Sequence, residues 1–329
     1  MDRLSLGHPA LDCALSLLAQ ATPQEAKRAI TALQTLLQGV THSAWPEVAW
    51  QFSTLTGDGF PVEFAFTTAD ASIRYTTEVA GPEVPPSDRL ALAQQRLADL
   101  GALPLPFPIH DRLHRIQTTG RLHYGTWVGG RHSAAGDRYK LYIEVPSTLT
   151  LPALKQLVPE WADDNLLPHR SISLRMIGYE LATHRVERYY RVAGLDDWEI
   201  QRLRHQIQLS DAVAPWQALL KSRLSSALSG SNAGFSLSQI GQDKPTLSLF
   251  TFARSLFGGD RQIRHHLLQL AAQQNWNLSA YETLSRPLTN QTDCNTAHGM
   301  VTFVIAPTPV SVLGIGLRPH GQKGSSHTS

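Results

Sequence analysis

The chain has only two cysteines in 329 residues, Cys13 and Cys294, far apart and without metal-ligand spacing. That excludes a disulfide framework or a thiolate zinc site as the organising element and fits a reducing cytoplasm. An excess of charge is also missing. Lys and Arg number 29 against 27 Asp and Glu, for a net charge of +2. No basic run is dense enough for a nucleic-acid footprint. No segment is long and apolar enough to span a bilayer, and residues 1–20 lack the cationic start and continuous apolar run of a signal peptide. A cytoplasmic chain with neither nucleic-acid nor membrane partners is the expectation.

What the chain does have is enough apolar content, 42%, for a substantial core. It also has a rhythm of short alternating segments. The clearest is DRYKLYIEVP, residues 137–146, where Tyr139, Leu141, Ile143 and Val145 form one face and Arg138, Lys140, Tyr142 and Glu144 the other. Period-two alternation predicts a β-strand. Alone, such a polar face would read as a solvent-facing side. The pattern recurs, however, in hairpins at 60–67 with 72–79, 122–130 with 138–145, 171–181 with 185–192, 235–240 with 246–252 and 300–305 with 310–317.

Helical patterning fills the intervals, at 8–19, 23–38, 87–100, 109–117, 154–161, 196–209, 212–228, 260–275 and 279–284. Thr22-Pro23-Gln24-Glu25 offers a capping box with proline at the first helical position, and Asp260 a cap for its own helix. Paired strands alternating with helices, mostly in pairs, predict an α+β fold: a ten-stranded antiparallel β-barrel surrounded by helices. A closed sheet of that size leaves a ligand-accessible lumen. Residues 1–319 are expected to form a single domain and 320–329 a frayed tail.

In that geometry Glu63, Ala65, Arg74, Thr76, Lys140 and Tyr142 point inward, whereas Val62, Phe64, Phe66, Ile73 and Tyr75 face the helices. Arg188 and Tyr190 repeat the spacing of a cation followed two positions later by a phenol, which places them in the lumen as well. Cations converging in a low-dielectric barrel require an anion, and a phosphate or diphosphate fits. Neighbouring tyrosines offer hydroxyls to the phosphate and π faces to a developing cation. The bland alternatives are an ordinary Glu63–Arg74 ion pair and solvated strand edges.

PVEFAFTTADASIRYTTEV and YKLYIEVP resemble the P-[LF]-E-x-S…R-[YF]-T-x-E hairpin and K-x-Y strand of the ABBA aromatic prenyltransferases, in particular the indole or tryptophan dimethylallyltransferase branch. The resemblance spans about residues 60–319 and implies the ten-stranded prenyltransferase barrel. Residue by residue, it makes Glu63 the acceptor-binding glutamate and Arg74, Lys140 and Tyr142 diphosphate ligands. Arg188 and Tyr190 become the second cation–phenol pair, with arginine in place of lysine. Arg318, in GLRP, is a further phosphate contact. Elsewhere the chain departs from the family. Thr246 and Ser248 stand where fungal relatives have glutamine and tyrosine, and the arginine and tyrosines of the last pair are missing near Met300, Ala306 and Gly316. Trp127 falls near the lysine that some tryptophan enzymes use as proton acceptor.

The resemblance implies transfer of a dimethylallyl or longer prenyl group from an allylic diphosphate to an electron-rich arene, most simply an indole, with release of pyrophosphate. Bacterial indole-alkaloid enzymes, including those of cyanobacterial hapalindole-type pathways, are the leading subgroup. Trp127, Ser248 and Met300 are candidate walls of the acceptor pocket. The adjacent aspartates Asp163-Asp164 and Asp196-Asp197 lack the third member of a DDxxD motif and read as helix-end residues. No metal site or cofactor is therefore expected to be required, with Mg²⁺ at most an activator. The alternative function is a noncatalytic barrel that carries a hydrophobic phosphate or small aromatic ligand.

Overall fold

The computed structural model describes residues 5–161, 166–192, 194–209, 227–228, 233–241, 243–290, 296–307 and 312–320. Ten strands form one closed ring: β1 (Val62–Thr67), β2 (Asp70–Thr77), β3 (Thr126–Ser133), β4 (Gly136–Glu144), β5 (Ile172–Glu180), β6 (Val186–Val192), β7 (Ala233–Gln239), β8 (Thr246–Phe252), β9 (His298–Ile305) and β10 (Val312–Leu317). Each pairs antiparallel with its sequence neighbour, and β1 closes on β10 through partners such as Phe64 and Leu317. Closure leaves no strand edge exposed, which removes the aggregation hazard of an open sheet.

Alternation decides what the two faces bury. Val62, Phe64, Ile73, Tyr75, Leu141 and Ile143 are buried on the outer face. There they join one continuous core with Leu11, Leu15 and Leu18 of helix Pro9–Ala21 and Ala29, Leu33 and Leu36 of helix Pro23–Leu36. The hydrophobic layer is thus a shell between barrel and helices, and the lumen is left to polar side chains.

Polar clips hold the second helix to the barrel. Arg28 donates from Nε to Asp137 at 2.7 Å and from Nη2 to the Ser133 carbonyl at 2.6 Å, pinning the second helix to the β3–β4 turn. His132 bridges Asp137, 3.0 Å away, and the Tyr75 hydroxyl, at 3.1 Å.

Two expected caps are replaced. Thr22 precedes its helix, but its hydroxyl donates backward to the Leu18 carbonyl at 3.2 Å, so no capping box forms. Asp260 is the first helical residue after an N-cap at Gly259. Its carboxylate instead accepts from the Ala297 and His298 backbone N–H groups and from His298 Nδ1, and the same imidazole bonds the Tyr281 hydroxyl at 2.9 Å. Asp196 does form a capping box, with Glu199. The Asp163-Asp164 pair and nearly all of the expected helix at 212–228 lie outside the described residues, as does Cys294. Among the described residues no helix is long and apolar enough to cross a membrane.

Candidate functional site

The lumen holds a cavity of about 460 Å³ that reaches the hairpin-turn end of the barrel. Its walls carry Arg74, Arg131, Arg138, Lys140 and Arg185, with the carboxylates Glu180 and Glu187. Asp70, in the first strand turn, adds a third carboxylate: it accepts from Arg74 Nη2 at 2.6 Å and from Arg131 Nη2 at 2.8 Å. Burial acts to raise the Asp70 pKa, but the Ser72 hydroxyl and the two guanidiniums outweigh it and hold it below the usual carboxylate value. Among the described residues five cations face these three carboxylates, an excess of positive charge.

Lys140 occupies the centre. Its ammonium bonds Glu187, donates to the Tyr189 hydroxyl at 2.9 Å, and lies 4.8 Å and 5.2 Å from the ring centres of Tyr142 and Tyr189. Burial works against the ammonium, yet the Glu187 charge prevails and its pKa rises. Glu187 is correspondingly lowered, because Lys140 and the Ser236 hydroxyl, 2.5 Å away, outweigh its own desolvation. Tyr142 and Tyr189, with ring centres 6.1 Å apart, make the aromatic wall around this pair.

Glu63 faces the lumen from β1 in different surroundings. It makes no hydrogen bond or ion pair among the described residues, and burial pushes its carboxyl up from an ordinary 4.5 to about 8. Two glycines make room for it. A Cβ at Gly299 would stand 1.9 Å from Glu63 Oε1, and one at Gly316 would stand 2.6 Å from it. The alternative of an ordinary Glu63–Arg74 ion pair is not what forms, since Arg74 turns to Asp70 and Ser72.

At the helix-connection end Trp127 lies opposite Tyr142 in the β3–β4 register. Its indole N–H donates to Glu78 at 2.8 Å and its ring stacks on Tyr124 at 3.8 Å. Glu78 is itself paired with Arg89 at 2.9 Å and accepts from Ser53. The Tyr124 segment is held by Glu144, which accepts the backbone N–H groups of His123, Tyr124 and Gly125. Ser248 lines the cavity, and Met300 stands two positions before the lumen-lining Thr302 on β9.

Three sequence expectations are corrected. Arg188 and Tyr190 do not face the lumen. Both are buried on the helix side, where Arg188 reaches the Glu160 carbonyl at 3.5 Å and Tyr190 stacks on Phe235 at 5.0 Å. The inward face of β6 carries Glu187 and Tyr189 instead. VERYYRV itself holds only a partial signal: Val186 and Val192 share parity with Arg188 and Tyr190, but charged and aromatic residues stand on both faces of the strand. Arg318 lies beyond β10, 3.0 Å from Asp58, beside Cys13, Leu284 and Pro287 rather than in the lumen. Asp70, Arg131, Arg185, Glu187 and Tyr189 are site residues that the sequence reading missed.

No protein-family model matches the chain, and no curated relative matches it. Solved structures do. The 6-dimethylallyltryptophan synthase from Micromonospora olivasterospora, solved in complex with DMASPP and Trp, is 17% identical with a TM-score of 0.73, covering 96% of this chain and 97% of its own. The 5-dimethylallyltryptophan synthase from Streptomyces coelicolor is 13% identical with a TM-score of 0.76, covering 98% and 99%. PriB, in binary complex with product diphosphate, is 15% identical with a TM-score of 0.73, covering 96% and 95%. At these identities the likeness establishes the architecture: the chain has the fold of the ABBA prenyltransferases.

Proposed function

We propose that the protein is an aromatic prenyltransferase that moves a dimethylallyl group, or a longer prenyl group, from an allylic diphosphate to an electron-rich ring, most simply an indole. The observation that carries this reading is the charge imbalance of the cavity: Arg74, Arg131, Arg138, Lys140 and Arg185 exceed Asp70, Glu180 and Glu187 in number. A diphosphate supplies the missing negative charge, and guanidinium and ammonium donors bind it without an obligatory metal. Mg²⁺ would then assist departure of the leaving group without being required, and an assay with chelator tests that. DMASPP and diphosphate occupy structural neighbours with the same barrel.

In this reading the donor's C–O bond breaks as pyrophosphate leaves toward the arginines and Lys140. The allyl cation is then sheltered by the π faces of Tyr142 and Tyr189. The arene attacks, a C–C bond forms, and the ring proton passes to the departed pyrophosphate, which restores aromaticity. Glu63 is buried beside Gly299 and Gly316, where its oxygen accepts the indole N–H and raises the ring's nucleophilicity. Trp127, Met300 and Ser248 wall the acceptor side. In this reading the reaction belongs to secondary metabolism of an indole compound in the cytoplasm.

One observation favours a second reading, a noncatalytic carrier of a hydrophobic phosphate or small aromatic: Glu187 occupies the β6 lumen position and pairs with Lys140. Incubation with dimethylallyl diphosphate and a panel of indoles decides between them. An enzyme releases pyrophosphate, and one acceptor gains the mass of a prenyl group. Saturable binding with no pyrophosphate would overturn the transferase.

A further inference from the structure

Three arginines stand side by side across β2, β3 and β4. Arg74 is the direct cross-strand partner of Arg131, and Arg131 that of Arg138. All three line the cavity. Like charges directly opposite one another destabilise a sheet, and the local compensation is thin. Arg74 and Arg131 share one oxygen of Asp70, and Arg138 stands 3.5 Å from Glu180. Arg131 also has Nε enclosed without a hydrogen-bond partner among the described residues. A buried guanidinium N–H with no acceptor is costly unless a ligand supplies one. Across the lumen, the inward face of β6 carries the Glu187 carboxylate, which repels an anion.

We propose that Arg131, with Arg138 beside it, is a ligand of the donor's diphosphate, so that the anion lies against the β2–β3–β4 wall and not against β6. This rests on the prenyl-transfer reading for the identity of the anion. Arg131 keeps Nη2 on Asp70 and offers Nε to a phosphate oxygen. Arg74, on the neighbouring strand, keeps Nη2 on Asp70 and Nε on Ser72 at 2.9 Å, which leaves Nη1 for a phosphate oxygen. Asp70 orients both guanidiniums and keeps them from repelling each other before the anion arrives. Glu187 holds Lys140 toward Tyr142 and Tyr189, where it closes the rear of the anion site. A planar fork matches two phosphate oxygens at once, which an ammonium at the same place cannot do.

The test is calorimetric titration of the full chain with inorganic pyrophosphate, for wild type, Arg131→Gln, Arg131→Lys and the surface control Arg115→Gln, with thermal melts to confirm folding. R131Q is expected to weaken pyrophosphate binding roughly 10- to 100-fold, the range of one charge-assisted contact. R131K should recover part of the loss, and R115Q should match wild type. Should R131Q fail to fold, Arg138→Gln carries the same comparison, with a loss of several-fold or more expected. Unchanged affinity in R131Q, or in R138Q where that stands in, overturns the proposal. The outcomes separate the two inferences. Pyrophosphate binding that depends on Arg131 without prenyl transfer to any arene keeps this site and removes the transferase. Prenyl transfer with an unaltered donor KM in R131Q does the reverse. A wild-type chain that does not bind pyrophosphate removes both.

Discussion

Lys140 and Glu187 form a partly buried ion pair across the β4 and β6 walls of the lumen, with Tyr189 bonded to the same ammonium. Partners on β4 and β6 do not touch in the sheet, because β5 runs between them. They meet because Gly178, on β5 opposite Tyr142, lets the lysine stem pass: a Cβ there would stand 2.3 Å from Lys140 Cε. Removing one partner strands the other charge, at a cost that reaches about 3–5 kcal/mol where a pair is fully buried.

Glu187→Gln is therefore expected to lower the stability of the free protein by up to about 3 kcal/mol, read from urea unfolding. Pyrophosphate should restore much of it, since the anion then compensates Lys140, and its affinity should rise above wild type. Equal destabilisation with and without pyrophosphate would show that Lys140 does not meet the anion.

The Glu63 carboxyl, pushed up to about 8 by burial, gives a signed pH dependence. Between about pH 4.5 and 8 the native protein keeps a proton that the unfolded chain has released, so native stability falls as pH rises through that window. Glu63→Gln lacks this slope and should gain roughly 1–4 kcal/mol over wild type between pH 5 and pH 8, with 1.36 kcal/mol per pKa unit setting the scale. Catalysis runs the other way. The ionised carboxylate is the better acceptor for an indole N–H, so kcat/KM should climb toward pH 8, and E63Q should lose both the limb and about 10²-fold or more in rate while still binding pyrophosphate.

Gly316→Ala places a methyl 2.6 Å from Glu63 Oε1, well inside contact distance. The carboxyl has to swing aside. We expect kcat to fall by about tenfold or more through misplacement of the group that holds the acceptor, with pyrophosphate affinity within twofold of wild type. A parallel loss of donor affinity would mean that the substitution perturbs the barrel as a whole.

Asp260→Asn tests the outer shell. The buried carboxylate accepts two backbone N–H groups and the His298 imidazole, and although desolvation opposes ionisation, these bonds hold its pKa below the ordinary value. A depressed carboxylate contributes stability above its unfolded pKa, and that contribution disappears as pH falls through the folded one. The variant should lose roughly 2–4 kcal/mol at pH 7 and less below pH 4, measured by chemical denaturation. Prenyl transfer per folded molecule should not change.

The sequence by itself determined the ten strands, their pairing into hairpins, and the inward set on β1, β2 and β4. In those strands apolar and polar residues alternate without ambiguity, so Val62, Phe64 and Phe66 left Glu63 and Ala65 only one face to take. Only the tertiary structure decided the β6 face. Val186, Arg188, Tyr190 and Val192 alternate with Glu187, Tyr189 and Arg191, and charged and aromatic groups stand on both sides. Which set was buried against the helices depended on packing with Phe235 and contact with the Glu160 carbonyl, both far away in the chain. The same holds for the meeting of Arg74 with Arg131 and of Lys140 with Glu187. A strand's own alternation fixes which way a side chain points, but which charge it meets across the lumen follows from strand order and register, and these exist only once the barrel closes.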